Sequence, residues 1–145
     1  INPERLEMAR EMGADVLLDA RGDVIGELKR ETDGVGVDVV LEMSGAEVAI
    51  RQGFDAVTNG GRVSLLGIPS RPITLDLANE VIFKGIRVHG ITGRRLFSTW
   101  YRLAGLFKAG LNIRPVLTHT FPLKDFAQGF ELIKSGQCGK VVLFP

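Results

Sequence analysis

A single cysteine, one tryptophan, one tyrosine and two histidines are all that 145 residues offer of several side chains that often carry chemistry. The lone Cys138 excludes an internal disulfide, and any metal site built on several cysteines, within this stretch. It suits the reducing cytoplasm. Charge of one sign is also missing: 18 basic residues face 17 acidic ones for a net +1, with no block of like charge. Nothing in that balance argues for nucleic acid or an anionic membrane surface. No apolar run approaches the roughly 18 residues of a membrane span, and the amino end has no signal-peptide pattern. The expected partner is a small molecule or another copy. There is no initiating Met, and Ile1-Asn2-Pro3 reads as a chain entered midway.

The glycine pattern G-x-G-x-x-G between a first strand and a first helix is absent as well. Gly34-Val35-Gly36 precedes a strand instead of following one, so it reads as a turn. What is present is an alternation of short apolar runs and amphipathic segments. Asn2 caps a helix starting at Pro3 and stopped by Gly13, with Leu6, Ala9 and Met12 on one face. Val16-Leu17-Leu18 reads as a short buried strand, and Val24 to Glu31 as a second helix. Val37 to Leu41 reads as a strand buried on both faces. Ser44 and Glu47 have the spacing of a reciprocal cap for a helix carrying Ala46, Ile50, Phe54 and Val57 and ending at Asn59-Gly60-Gly61.

Arg62 to Leu66 is then a buried strand, and Gly67 exposes bare backbone at its carboxyl end, where open α/β sheets bind ligands. A flat ring could approach there and take hydrogen bonds from the peptide groups of Leu66 and Ile68. Ile73 to Leu77 alternates like a half-exposed strand that pairs at an edge or with another subunit. A helical piece near Glu80 to Lys84, a strand Ile86 to Ile91 and a glycine turn at Thr92 to Arg95 follow. Leu96, Trp100, Leu103, Ala104 and Phe107 form one stripe of a helix ended by Gly110. The remainder reads as a strand Pro115 to Phe121, a helix Lys124 to Ser135 with Phe126, Phe130 and Ile133 inward, and a strand Lys140 to Phe144. Strand and helix alternating over short links predict a parallel, right-handedly wound α/β sheet.

No catalytic or metal-binding constellation presents itself. His89 and His119 each sit in a strand and read as hydrogen-bonded structural histidines. Cys138 has no adjacent base or cationic cluster and reads as packing. Asp38 and Glu42 share a strand without a shared partner. Arg94-Arg95 could meet phosphates, a neighbouring subunit or solvent, and Arg5 could reach an adenosine or an exposed salt bridge.

Several blocks together carry a resemblance: Gly36 to Gly45, Gly60 to Ile68, Ile82-Phe83-Lys84-Gly85, Gly90-Ile91-Thr92-Gly93-Arg94 with Trp100, and Ser135 to Val142. From end to end the chain resembles the carboxy-terminal part of the zinc-dependent L-threonine 3-dehydrogenases, within the medium-chain alcohol and polyol dehydrogenases. The resemblance implies NAD-dependent oxidation of the threonine hydroxyl to 2-amino-3-oxobutanoate, with a zinc ion acidifying that hydroxyl. It implies that Leu66, Gly67 and Ile68 line the nicotinamide side through backbone groups, that Ile91 and Thr92 meet the cofactor from the next strand end, and that Arg5 lies near the adenine ribose. It further implies an incomplete Rossmann-type doubly wound parallel sheet, strands three to six, over residues 1–112. Residues 113–145 would then return to a GroES-like catalytic domain.

The resemblance also suggests a cytoplasmic homotetramer whose zinc ligands, glycine-rich loop and ribose-binding acid precede Ile1. With the strand order 3-2-1-4-5-6, absence of strands one and two would separate Val16 to Leu18 from the other three. A polypeptide limited to these residues is accordingly expected to be inactive and to fold poorly. Another zinc polyol dehydrogenase, of sorbitol or butanediol type, and a nucleotide-binding module without chemistry are the alternatives.

Overall fold

The computed structural model describes residues 2–145, so the reading of Ile1 as a mid-chain entry lies outside them. Contacts divide the chain into two units, Arg21–Arg94 and the residues on either side of it. In the Arg21–Arg94 unit the elements run α2 (Val24–Glu31), β1 (Val37–Glu42), α3 (Glu47–Ala56), β2 (Val57–Leu65), a π-helical turn (Ala78–Ile82) and β3 (Arg87–Gly90). The three strands pair in parallel in the order β1-β2-β3. Val39 to Glu42 faces Arg62 to Leu65, while Val37 reaches back to Val57, so the segment between is a bulge containing Gly60.

Packing follows from strand alternation. Val40 and Val63 are aligned on one sheet face, and α3 lays Ile50 and Phe54 into the core on that face with Val57 and Ile86. Val63 and Phe54 are 0% and 1% exposed. Lys84 secures the far end of α3: its Nζ donates to the carbonyls of Phe54 (2.6 Å), Asp55 (3.2 Å) and Val57 (3.3 Å). A cation on the last carbonyls of a helix satisfies orphaned acceptors and complements the dipole. Lys84→Met is therefore expected to cost about 1–3 kcal/mol. A shift of the urea midpoint measures it, and an unchanged midpoint would contradict the capping role.

Several expectations are corrected here. Val16-Leu17-Leu18 is not a strand: no strand among the described residues pairs with it, and an unpaired run has no ladder for its amides and carbonyls. β1 is not buried on both faces, because Val39 and Leu41 are exposed opposite α3. The helix before β2 ends at Ala56 instead of Asn59-Gly60-Gly61, since Val57 is already extended and buried. Ser44 does not cap that helix: its N-cap residue is Ala46, and Glu47 binds Arg51 and Arg71. Ile73 to Leu77 pairs with no strand among the described residues of this chain, so the edge pairing is not formed; Ile73 and Leu75 instead pack against the α3 core. The helical piece at Glu80 to Lys84 is the π turn, placed earlier because Asp76 accepts from the amides of Ala78 and Asn79.

The other unit holds α1 (Pro3–Glu11), α4 (Ser98–Lys108), β4 (Leu117–Pro122), α5 (Phe126–Ser135) and β5 (Lys140–Phe144). β4 and β5 pair in parallel, and α5 is the crossover between them. Asn2 caps α1 by accepting from the Arg5 amide, and its Nδ2 donates to the Gly136 carbonyl at 2.9 Å. β4 starts two residues later than Pro115, because Arg114–Val116 forms a 3-10 turn. Leu123–Asp125 likewise delays α5 to Phe126. Phe126, Phe130 and Ile133 are exposed, contrary to the inward reading. The strand-facing position is Gly129, where a Cβ would lie 3.3 Å from Val141, tighter than ordinary contact, and 3.6 and 3.7 Å from Phe121 and Leu143, so the bare position lets the helix sit close on β4 and β5. The α4 stripe of Leu96, Trp100, Leu103 and Phe107 is also exposed.

Candidate functional site

The carboxyl ends of β2 and β3 carry an open cleft of about 550 Å³, walled by Leu66, Gly67, Ile68, Ile91, Thr92 and Gly93 among others. The structure thus brings five of the six expected cofactor residues together. Ile91 donates its amide to the Leu65 carbonyl at 2.9 Å, which fixes one rim to the other. Ile68 is 89% exposed, and the walls at Leu66 and Ile91 are apolar and open. Among the described residues the amides of Ile68 and Thr92 make no hydrogen bond, so both remain as donors at the rim. A flat ring bearing a carboxamide suits such a site, with apolar faces and a few polar points that orient it.

Two details differ from the sequence reading. The Leu66 amide is not offered to the cleft, because it donates to the Glu42 carbonyl at 2.9 Å, as Gly67 does at 3.2 Å. Gly67 is bare for a different reason than ring approach. A Cβ there would run into the Gly45 amide and lie 2.5 Å from Glu42 Oε2 and 2.7 Å from the Ser44 carbonyl carbon. Gly45, at φ +71°, presses equally close to Ile68, where a Cβ would sit 2.5 Å from the carbonyl oxygen. The β1–α3 turn therefore supports the cleft from behind.

Glu42 organises that support and was missed as a site residue. It is 5% exposed. Its Oε1 accepts from the Ser44 amide (2.8 Å), the Ser44 hydroxyl (2.5 Å) and the Gly45 amide (3.0 Å). The signal available in the sequence was a carboxylate closing an apolar strand just before Ser-Gly, a pair rich in local donors. Burial alone raises the Glu42 pKa, but the Ser44 hydroxyl and the Ser44 and Gly45 amides outweigh it and hold the carboxyl below the ordinary value. A depressed folded-state pKa contributes stability that is complete above the unfolded value, about 4.3, and is lost as pH falls through the folded one. Unfolding titrations from neutral to acid pH should lose this contribution below about pH 4. In Glu42→Gln that acid-side loss should shrink, and an identical acid limb would contradict the assignment.

Arg5 belongs to the other unit, on α1, where it lines a second cleft with Glu4, Met8, Thr118, His119 and Cys138. His119 is half-buried with Nδ1 2.9 Å from the Thr118 hydroxyl, as a structural histidine should be. His89 is exposed on β3, and its imidazole makes no hydrogen bond among the described residues, which corrects its reading as a hydrogen-bonded structural histidine. Cys138 is buried, with its thiol 3.7 Å from the Leu132 carbonyl.

The sequence pattern of the zinc-binding dehydrogenases matches residues 1–109. The chain belongs to the zinc-binding dehydrogenase family. Curated relatives of the chain include the L-threonine 3-dehydrogenase of Caldanaerobacter subterraneus subsp. tengcongensis, 50% identical over 144 residues, covering 97% of this chain and 42% of that one. The L-threonine 3-dehydrogenase of Symbiobacterium thermophilum is 50% identical over 148 residues, covering 100% and 42%. The chain thus spans about two fifths of the length of the curated relatives it matches. Among solved structures, 2R,3R-butanediol dehydrogenase from Bacillus subtilis superposes with a TM-score of 0.88 at 29% identity, over 100% of this chain and 42% of that one. An alcohol dehydrogenase from Thermotoga maritima gives 0.88 at 28% identity, over 99% and 41%. The parallel α/β architecture is therefore that of the dehydrogenase family.

Proposed function

We propose that this chain is the cofactor-binding part of a longer polypeptide, an NAD-dependent oxidoreductase that oxidises L-threonine to 2-amino-3-oxobutanoate. The observation that carries the reading is the cleft at the ends of β2 and β3, with its apolar walls and its two unbonded amides. When bound, NAD takes up the hydride. The residues of this chain bind and orient its nicotinamide end: Leu66, Gly67 and Ile68 on one rim and Ile91 and Thr92 on the other. Zinc, the other group expected from the family, finds no cluster of three or more His, Cys, Asp or Glu among the described residues. Its ligands would be supplied elsewhere in the longer polypeptide. The same proposal assigns residues 1–112 to a partial dinucleotide-binding domain and 113–145 to a segment of the catalytic domain, in a cytoplasmic homotetramer.

The names of the relatives at 50% identity favour threonine. The likeness to a butanediol dehydrogenase keeps a polyol substrate as the second reading. NADH formation by the full-length protein should be compared with L-threonine, 2,3-butanediol and sorbitol. Turnover of threonine at least about tenfold above the diols, some 1.4 kcal/mol in the transition state, supports the proposal. A preference for a diol would replace threonine as the substrate, and NADH binding without any turnover would leave a non-catalytic module.

A further inference from the structure

Nothing obvious holds Ile68. Its side chain is 89% exposed and its amide is unbonded among the described residues, so neither burial nor a hydrogen bond of its own fixes the residue at the centre of one rim. What stands behind it is backbone. The amides of Leu66 and Gly67 both donate to the Glu42 carbonyl, and the Ser44–Gly45 turn lies directly against Gly67 and Ile68. That turn is in turn held by the Glu42 carboxylate, through both Ser44 donors and the Gly45 amide. One residue therefore grips both layers, its main chain the strand end and its side chain the turn that backs it. No salt bridge reaches Glu42 among the described residues, and its charge is balanced by these donors alone.

We infer that Glu42 is the positioning residue of the cleft: by clamping the Ser44–Gly45 turn onto the carboxyl end of β2, it fixes the Ile68 amide where it can meet the planar amide end of a dinucleotide. The inference rests on the cofactor reading above. Glu42 touches no ligand in this account and acts through the turn. Glutamine in its place keeps the size, removes the charge and turns an NH2 donor toward amides that already donate, so the clamp loosens without a cavity.

The experiment compares dissociation constants of the full-length protein for NADH and for ADP-ribose, which lacks the nicotinamide. In Glu42→Gln, NADH should bind about tenfold more weakly, the scale of one lost charge-assisted hydrogen bond, while ADP-ribose stays within about twofold. Ser44→Ala, which removes the 2.5 Å donor and the oxygen that accepts from the Ala46 amide, should move NADH alone in the same direction by about threefold. It carries the test if the glutamine variant does not fold. Equal weakening of both ligands, or no change in either, would overturn the positioning role and leave Glu42 a stability residue. A wild-type protein that binds NADH no better than ADP-ribose would overturn the cofactor reading itself, and the inference with it; that failure is visible before any substitution.

Discussion

Gly67→Ala should abolish useful NADH binding by the full-length protein, weakening it on the order of a hundredfold, and should destabilise it by about 3 kcal/mol. The added methyl has no free volume to occupy. It would strike the Gly45 amide and lie within 2.5 Å of Glu42 Oε2 and 2.7 Å of the Ser44 carbonyl carbon. Two of these three atoms are backbone and cannot rotate away, so either β2 or the β1–α3 turn must shift. Either movement carries Ile68 with it, because Gly45 already touches the Ile68 backbone. Fluorescence titration with NADH and a urea midpoint read the two effects separately. Wild-type values for both would mean that the turn and the strand end are not in contact.

Phe54→Ala is expected to have the largest effect on stability alone, about 3–5 kcal/mol. Phe54 is 1% exposed and sits with Ile50, Val57, Val63 and Ile86 in the α3 core, so truncation leaves a cavity the surrounding residues cannot fill. Val48→Ala on the same helix, where Val48 is 64% exposed, should change stability by less than about 0.5 kcal/mol. The difference in denaturation midpoint between the two variants measures the burial asymmetry of α3. Comparable losses would show that the helix presents a different face to the sheet.

Much of this was legible in the residues. Val24 to Glu31 and Lys140 to Phe144 have the bounds the periodicity predicts, and Asn2 caps α1 as its position before Pro3 requires. The cleft was legible too, since strands ended by glycine turns point to the carboxyl edge of a parallel sheet. The misses share a cause: local pattern does not say which partner will be there. Val16-Leu17-Leu18 has the composition of a strand, yet strand structure requires a neighbour to receive its hydrogen bonds, and none of the described residues supplies one. Phe126 and Phe130 are as apolar as Phe54, but Gly129 is the position that approaches β4 and β5, and periodicity credits a glycine with no burial. Glu42 was overlooked because it was weighed only against Asp38 on its own strand, with which it shares no partner. Ser44 and Gly45 are its near neighbours in sequence, but only the fold brings the Gly67 backbone against that turn.

Hydrogen exchange of the full-length protein with and without saturating NADH decides whether the cofactor occupies the ends of β2 and β3, because it reports where the ligand sits as well as whether it binds. Exchange should slow in the peptides spanning Leu65 to Pro69 and Gly90 to Gly93, centred on the amides of Ile68 and Thr92, which are unbonded among the described residues. NADH bound at saturation with both peptides exchanging as before would contradict it, and would move the cofactor site away from the ends of β2 and β3.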